Sequence, residues 1–394
     1  MISVEQALAH ILDLFDPLDI EDVPIADAAG RVLARDVTAT HNQPPFAGSA
    51  MDGYAVRTDD IATGATLAVI GESAAGTRYE GSVEARQAVR IFTGAPVPNG
   101  ADRILIQEDC TRNGDTITVS DNIDTKSYIR PAGGDFAIGD VVSSPLQLGT
   151  NEISLLAAMN VGMVPVRRKP IIALVPTGDE LVYPGAPLAA DRICSSNNLG
   201  LKAMVEAAGG EARLLPIARD NEAALRTVLD LCEGVDAIVT MGGASVGDHD
   251  LIGQMAQSTD METSFYKVAM RPGKPLMAGR YNNIPLIGLP GNPVSSIVCG
   301  HIFLRPALNA MLGLGKQSLT RETAILTQDI KPNGPRAHYM RAISGLVDGN
   351  STCTLFDRQD SSLLSILAQA NILMLRAPND PAKKKGDKVE IIRI

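Results

Sequence analysis

Val235-Asp-Ala-Ile-Val-Thr-Met-Gly-Gly-Ala-Ser-Val-Gly-Asp-His-Asp250 decides the fold. Its first half, Ala237 to Val239, is a short apolar run with β-branched residues, the pattern of a buried parallel strand. The second half carries three glycines, a serine and two aspartates. A loop of that kind at the carboxyl end of a parallel strand is where open α/β sheets bind ligands. Gly242, Gly243 and Gly247 are expected to let backbone approach a ligand and to leave N–H groups free. Asp248 and Asp250 speak against a plain phosphate cradle, because carboxylates repel phosphate. They suit a bound cation or a ligand edge of N–H donors. The competing reading is a solvated turn with an aspartate capping the next helix.

Strand–helix alternation surrounds this stretch from Lys169 onward. Ile171 to Val175 reads as a continuous apolar strand, followed by Pro176-Thr-Gly-Asp-Glu180. Asn197 or Asn198 is expected to cap a helix ending at Gly209-Gly210. Ala212 to Ile217 reads as a strand, and Asp220 as the cap of the helix after it. Ile284 to Leu289 leads through Pro290-Gly-Asn-Pro-Val-Ser-Ser296 into a helix ending near Gly313. Alternation of this kind predicts a three-layer α/β domain with a mostly parallel sheet. The loops Thr177–Glu180, Gly242–Asp250 and Pro290–Ser296 should then meet at one sheet edge.

Around it the pattern differs. Ser3-Val-Glu-Gln6 is a capping box, and Val4, Ala7, Leu8, Ile11, Leu12 and Phe15 form one apolar stripe. Residues 65–145 are β-rich, with Asn113-Gly114 marking a hairpin between Ile104-Leu-Ile-Gln and Thr116-Ile-Thr-Val. Leu148 to Asn160 reads as a short helix capped by Thr150 or Asn151. After Gly315 the strands return as Thr323–Thr327, Tyr339–Ile343, Thr352–Phe356, Ile372–Leu375 and Val389–Ile392, a small barrel or sandwich.

Composition narrows the function. The 394 residues allow two or three average domains, with 45% hydrophobic and 20% charged residues. The absence of Trp, 4% aromatics and a net charge of −10 disfavour a nucleic-acid partner. No apolar run approaches the ~20 residues that span a bilayer. Glu5 and Asp13, without a basic segment before them, predict no signal peptide. Five scattered cysteines fit reduced thiols and a cytoplasmic setting, and five histidines with no His-x-x-x-His pair argue against a zinc site. No phosphate-binding P-loop and no Gly-x-Ser-x-Gly elbow is present.

What remains is a set of carboxylates beside cations. Asp179, Glu180, Asp220, Asp248 and Asp250 fall in the loops named above, and Arg271 and Lys274 sit on the stiff Arg271-Pro-Gly-Lys-Pro275 loop. Mg²⁺ takes oxygen ligands and few of them from protein, so the set resembles a phosphoryl site. Each carboxylate alone reads equally as a cap or turn residue. Asp52, before Gly53 in Asn42-Gln-Pro-Pro-Phe-Ala-Gly-Ser-Ala-Met-Asp-Gly-Tyr-Ala-Val56, reads as a turn former or as a carboxylate held out on a stiff loop.

Six motifs in order carry a resemblance: Ser49-Ala-Met-Asp-Gly-Tyr-Ala-Val56, Thr93-Gly-Ala-Pro96, Pro176-Thr-Gly-Asp-Glu-Leu181, Gly242-Gly-Ala-Ser-Val-Gly247, Arg271-Pro-Gly-Lys-Pro275 and Gly288-Leu-Pro-Gly-Asn-Pro-Val-Ser295. Over essentially its whole length the chain resembles the molybdopterin molybdenumtransferases, the family of bacterial MoeA and the gephyrin E domain. The resemblance implies a multidomain α/β plus β chain that forms a homodimer. A discontinuous domain would take 1–41 with 137–168, an inserted β-rich domain 42–136, the α/β molybdopterin-binding domain 169–316, and a C-terminal β-barrel 317–394. It implies a Mg²⁺-dependent reaction of molybdate with adenylylated molybdopterin, releasing AMP, with substrate handed over by a molybdopterin adenylyltransferase.

Carried over by motif, Asp52, Thr93, Asp135, Glu180, Asp220 and Asp250 are the functional polar residues, with Glu180, Asp220 and Asp250 toward the metal. Arg271, Lys274, Ser295 and Arg341 are the oxyanion contacts. Thr177, Gly178, Gly242, Gly243, Ser245, Gly247, Asp248, Pro275, Pro290, Gly291 and Asn292 complete the binding set. In the family the inserted domain of one subunit closes over its partner's α/β site. Arg271 stands where the family often has lysine, Ser195-Ser-Asn-Asn198 replaces a commoner Asn-Ser-Asn, and Ala244 a frequent valine. Two rivals are a partner-binding scaffold and a different enzyme built on the α/β domain alone. The acidic loop residues disfavour the first, and the Ser49–Val56 segment and C-terminal strands disfavour the second.

Overall fold

A computed structural model of the chain describes residues 1–243 and 261–394. The Ile171–Pro176 strand shows how the sequence builds the central domain. Alternate side chains point to opposite faces of a strand. Ile172 and Leu174 therefore enter one apolar core, while Ala173 and Val175 enter another. Burial on both faces is why this run is apolar throughout rather than alternating. The sheet orders its strands Glu211–Leu214, Ile171–Pro176, Ala237–Met241, Ile284–Leu289, Met277–Tyr281 and Met261–Tyr266. The first four are parallel and the last two antiparallel.

Several local expectations are corrected. The Ala212–Ile217 strand is shorter, Glu211–Leu214. Asn221, not Asp220, caps the Glu222–Leu229 helix, its side chain accepting from the Ala224 N–H. That leaves the Asp220 carboxylate available for another task. The helix before it in the alternation, Asn197–Ala207, starts from Ser196 with no side-chain cap bond. The Thr150–Ala158 helix starts from Gly149, whose N–H donates to Glu152 at 2.9 Å. The final helix of the domain is interrupted by a π-helical turn, Gly300–Leu304.

The first helix, Val4–Leu12, forms with its capping box intact. Its apolar stripe packs inside the same core as Phe265, Ala278, Phe303 and Leu308. The stripe is thus satisfied within the chain, and it gives no support to a dimer. The 42–136 region holds a six-stranded sheet flanked by two small cores. Its hairpin turns at Gly114-Asp115, and Thr116–Val119 pairs with Cys110–Asn113. The expected partner, Arg103–Ile106, pairs with Gly53–Val56 instead.

The C-terminal strands Glu322–Leu326, Ala337–Val347, Asn350–Leu355, Ile372–Arg376 and Lys388–Arg393 close on themselves, because Ala337–Val347 pairs with Ile372–Arg376 as well as with Asn350–Leu355. This decides for a barrel over a sandwich. Met270–Arg271 adds to the barrel beside Ala337 and His338. That pairing ties the Arg271–Pro275 loop to the barrel as well as to the α/β sheet. No helix among the described residues is long and apolar enough to cross a membrane.

Candidate active-site cleft

Three loops leave the carboxyl ends of adjacent parallel strands and meet. Thr177 follows the Ile171–Pro176 strand, Gly242 follows Ala237–Met241, and Pro290 follows Ile284–Leu289. They line a cleft of about 460 Å³. Two glycines permit this approach. A Cβ on Gly242 would lie 2.7 Å from the Thr177 carbonyl oxygen, and one on Gly291 would lie 3.2 Å from Gly242 Cα. The Gly242 N–H is not free, as the sequence suggested, but donates to the Leu289 carbonyl at 3.1 Å. Its glycine serves loop-to-loop packing. Asn197 then secures the Pro290 loop by donating to the Gly291 carbonyl at 2.8 Å.

The acidic wall is built from two loops that hold each other. The Asp220 N–H donates to Asp179 Oδ1 at 3.2 Å, and the Asp179 N–H donates to Asp220 Oδ2 at 3.3 Å. Arg219 and Arg192 both donate to the Asp179 carbonyl oxygen, Arg219 at 2.9 Å. Glu180 and Asp220 line the cleft, and the Glu180 carboxylate lies over Gly178. Among the described residues no three Asp, Glu, His or Cys side chains gather to hold a metal ion. Asp250, with Ser245, Gly247 and Asp248, lies outside the described residues. Two carboxylates nevertheless fit Mg²⁺, which takes one or two from protein and the rest from water and substrate phosphate.

Cations face them. Lys274 lines the cleft, with Pro275 and Ser295 beside it, and so does Lys267, which the sequence reading missed. No motif marks Lys267; it follows the Met261–Tyr266 strand, and the Val268 N–H bond to the Lys274 carbonyl at 3.0 Å sets it near Lys274. Arg271 is exposed but lies outside the cleft lining, beside His338 of the barrel. Burial, reinforced by Arg271 and Arg341, pushes His338 down to about 4. Arg341 is only 2% exposed, and its guanidinium donates to the Asp360 carbonyl at 2.8 Å. It braces the loop around Asp360 rather than lining the cleft.

Asp52, Thr93 and Asp135 lie on loops of the inserted domain. Asp52 Oδ1 accepts from the Thr93 N–H at 2.7 Å and the Thr93 hydroxyl at 2.8 Å. The Thr93 N–H holds the Asp52 carboxyl below the usual range, the Thr93 hydroxyl adds to this, and Arg90 contributes less. Arg90 stacks over Phe92 at 4.7 Å and donates to the Gly53 carbonyl at 3.1 Å. The loop bearing Asp135 joins through the Asp135 N–H, which donates to the Gln43 carbonyl at 2.9 Å. Asp52 and Thr93 are thus brought into contact, Asp135 is tied to the Gln43 segment, and none of the three lines the cleft of its own chain.

Comparison with known proteins decides the family. Residues 2–160 match the MoeA N-terminal region (domains I and II), 173–310 a probable molybdopterin binding domain, and 323–394 the MoeA C-terminal region (domain IV). The chain is 32% identical to a molybdopterin molybdenumtransferase of Haemophilus influenzae, over 99% of this chain and 98% of that one. The chain belongs to the molybdopterin molybdenumtransferase family. A second relative, molybdopterin molybdenumtransferase 2 of Mycobacterium tuberculosis, is 35% identical over 95% of each chain. A crystal structure of a molybdopterin biosynthesis MoeA protein from Pyrococcus horikoshii matches all of both chains with a TM-score of 0.84 at 26% identity. The cleft described above falls within the part of the chain that matches the probable molybdopterin binding domain.

Proposed function

We propose that the chain inserts molybdenum from molybdate into adenylylated molybdopterin, with release of AMP, as a step of molybdenum cofactor biosynthesis. The observation that carries this reading is the composition of one cleft: Glu180 and Asp220 on one loop pair, and Lys267 and Lys274 on the hairpin beside it. Molybdate is a tetrahedral dianion and the pyrophosphate of the pterin is anionic, so their approach is opposed by like charge. Ammonium groups and oriented donors in a desolvated cleft lower that barrier more than they would in water. Lys274 is assigned to molybdate, with the Ser295 hydroxyl. The acidic wall accepts from the amino and ring N–H donors of the pterin. Glu180 and Asp220 would hold Mg²⁺, with Asp250, and the ion supplies charge neutralisation at the pyrophosphate.

Asp52, Thr93 and Asp135 are assigned to the cleft of a second copy of the chain in a homodimer. A molybdopterin adenylyltransferase is the class of enzyme that would hand over the substrate. The five free thiols, with no disulfide, fit a cytoplasmic setting.

The direct test is molybdate-dependent AMP release from adenylylated molybdopterin in the presence of Mg²⁺. No release with either anion omitted and stoichiometric release with both is expected; release independent of molybdate overturns the reading. For the shared site, Asp52→Asn and Asp250→Asn proteins, each folded and each nearly inactive, are mixed. Up to one working site in two should return. Confirmed exchange of subunits without recovery sinks the shared site.

A further inference from the structure

Lys267 stands in a conformation its side chain does not favour. Its φ is +72°, the left-handed region where glycine and asparagine are at ease and a lysine pays for its Cβ. The backbone on either side enforces it. The Lys267 N–H donates to the Leu276 carbonyl at 2.9 Å, its carbonyl accepts from the Ile2 N–H at 3.3 Å, and the Val268 N–H donates to the Lys274 carbonyl at 3.0 Å. Strain kept at one position is a reason to ask what the side chain does there.

Lys267 is one of the residues that line the cleft. Its ammonium lies 4.6 Å from the centroid of the Tyr266 ring, and it pairs with no carboxylate among the described residues. Among the described residues that line the cleft, the only cationic side chains are Lys267 and Lys274. Two anions have to be held there, and one cation cannot neutralise both while they are kept apart. With Lys274 given to molybdate, Lys267 is left for the other.

We propose that Lys267 is a substrate-binding residue that takes the pyrophosphate group of the pterin substrate. The inference rests on the functional reading above and deepens it. The Tyr266 ring holds the ammonium in place by a cation–π contact and so lowers the ordering cost of binding. The left-handed backbone brings a lysine to a point on the hairpin where a relaxed residue would offer no charge.

The test uses the full-length protein, with inorganic pyrophosphate and molybdate as separate calorimetric probes. Lys267→Gly removes the charge and suits the backbone, so its melting temperature should hold or rise. Its pyrophosphate affinity should fall roughly tenfold or more, with molybdate affinity within about twofold of the parent, since Lys274 is untouched. Lys267→Arg should recover most of the pyrophosphate affinity. If the parent binds pyrophosphate and Lys267→Gly binds it equally well, the proposal falls while the cleft assignment stands. If the parent binds no pyrophosphate, both fall. Should Lys267→Gly fail to fold, Lys267→Met, which keeps the stem and loses the charge, decides by the same measurement.

Discussion

Asp220 of the α/β domain and Asp52 of the inserted domain occupy similar-looking loops, and the structure treats them differently. Asp52 takes two short bonds, 2.7 and 2.8 Å, from Thr93 through one oxygen. Asp220 takes one long bond, 3.3 Å, from the Asp179 N–H. The first carboxylate is anchored, with its second oxygen accepting nothing among the described residues. The second is held loosely on the wall of a cleft, where a ligand can compete for it. Hydrogen bonds near 2.7 Å to a charged group are roughly twice as strong as neutral ones, whereas longer bonds are weaker. The lesson is that an acidic loop motif names a position, and the partners of its oxygens decide whether it is anchored through one oxygen or held loosely.

Experiments can break this contrast. Apart from the Asp52→Asn and Asp250→Asn pair, the largest effect is expected at Asp220. Asp220→Asn should lower molybdate-dependent AMP release about 10–100-fold with little change in the denaturation midpoint, since it caps no helix. A stability loss comparable to that of a core substitution would make Asp220 structural and erase the difference. Gly242→Ala should act in the opposite sense, through the fold. Its Cβ would meet the Thr177 carbonyl at 2.7 Å in a backbone at φ +102°, costing about 1–3 kcal/mol in urea unfolding.

Lys274→Ala sharpens the cation side. The molybdate concentration for half-maximal rate should rise about tenfold, as the loss of one charge-assisted contact predicts, while Arg271→Lys should change it less. An unchanged molybdate dependence in Lys274→Ala would remove that lysine from the oxyanion site.

The smallest effect lies in the Asp52 clamp. Its carboxyl is depressed in the folded state, so it contributes stability that is present above the ordinary value of 3.8 and is lost as pH falls through the lower folded one. Thr93→Val keeps the N–H bond and loses the hydroxyl, so it should lower stability slightly at pH 7 and converge with the parent in strong acid. A gap that widens below pH 3.8 would show that the clamp does not depend on the carboxylate. A half-buried histidine and a buried one provide a background for this titration. His301 and His338 are both pushed down to about 4, chiefly by burial. They are neutral in the folded chain at pH 7, and the stability they contribute above pH 6.5 is lost as pH falls toward 4. The acid comparison therefore has to be made between variants at the same pH.

The order of elements, the mostly parallel sheet and the convergence of the Thr177, Gly242 and Pro290 loops follow from sequence alone, because short continuous apolar runs alternating with helical stretches are a local pattern. The resemblance in six ordered motifs supplied the family. Other features depended on which groups met across the fold. Asn221 displaced Asp220 as the helix cap because its oxygen, not its neighbour's, reached the Ala224 N–H. The first helix buried its stripe against its own chain, which no periodicity reveals. The Gly242 N–H went to the Leu289 carbonyl once the two strands were neighbours. Lys267 became a cleft residue only when the Val268 N–H bond to the Lys274 carbonyl set it near Lys274. Spacing along a chain fixes which side chains share a face. The partners those side chains find are set by distances between strands far apart in sequence, and these exist only in the folded molecule.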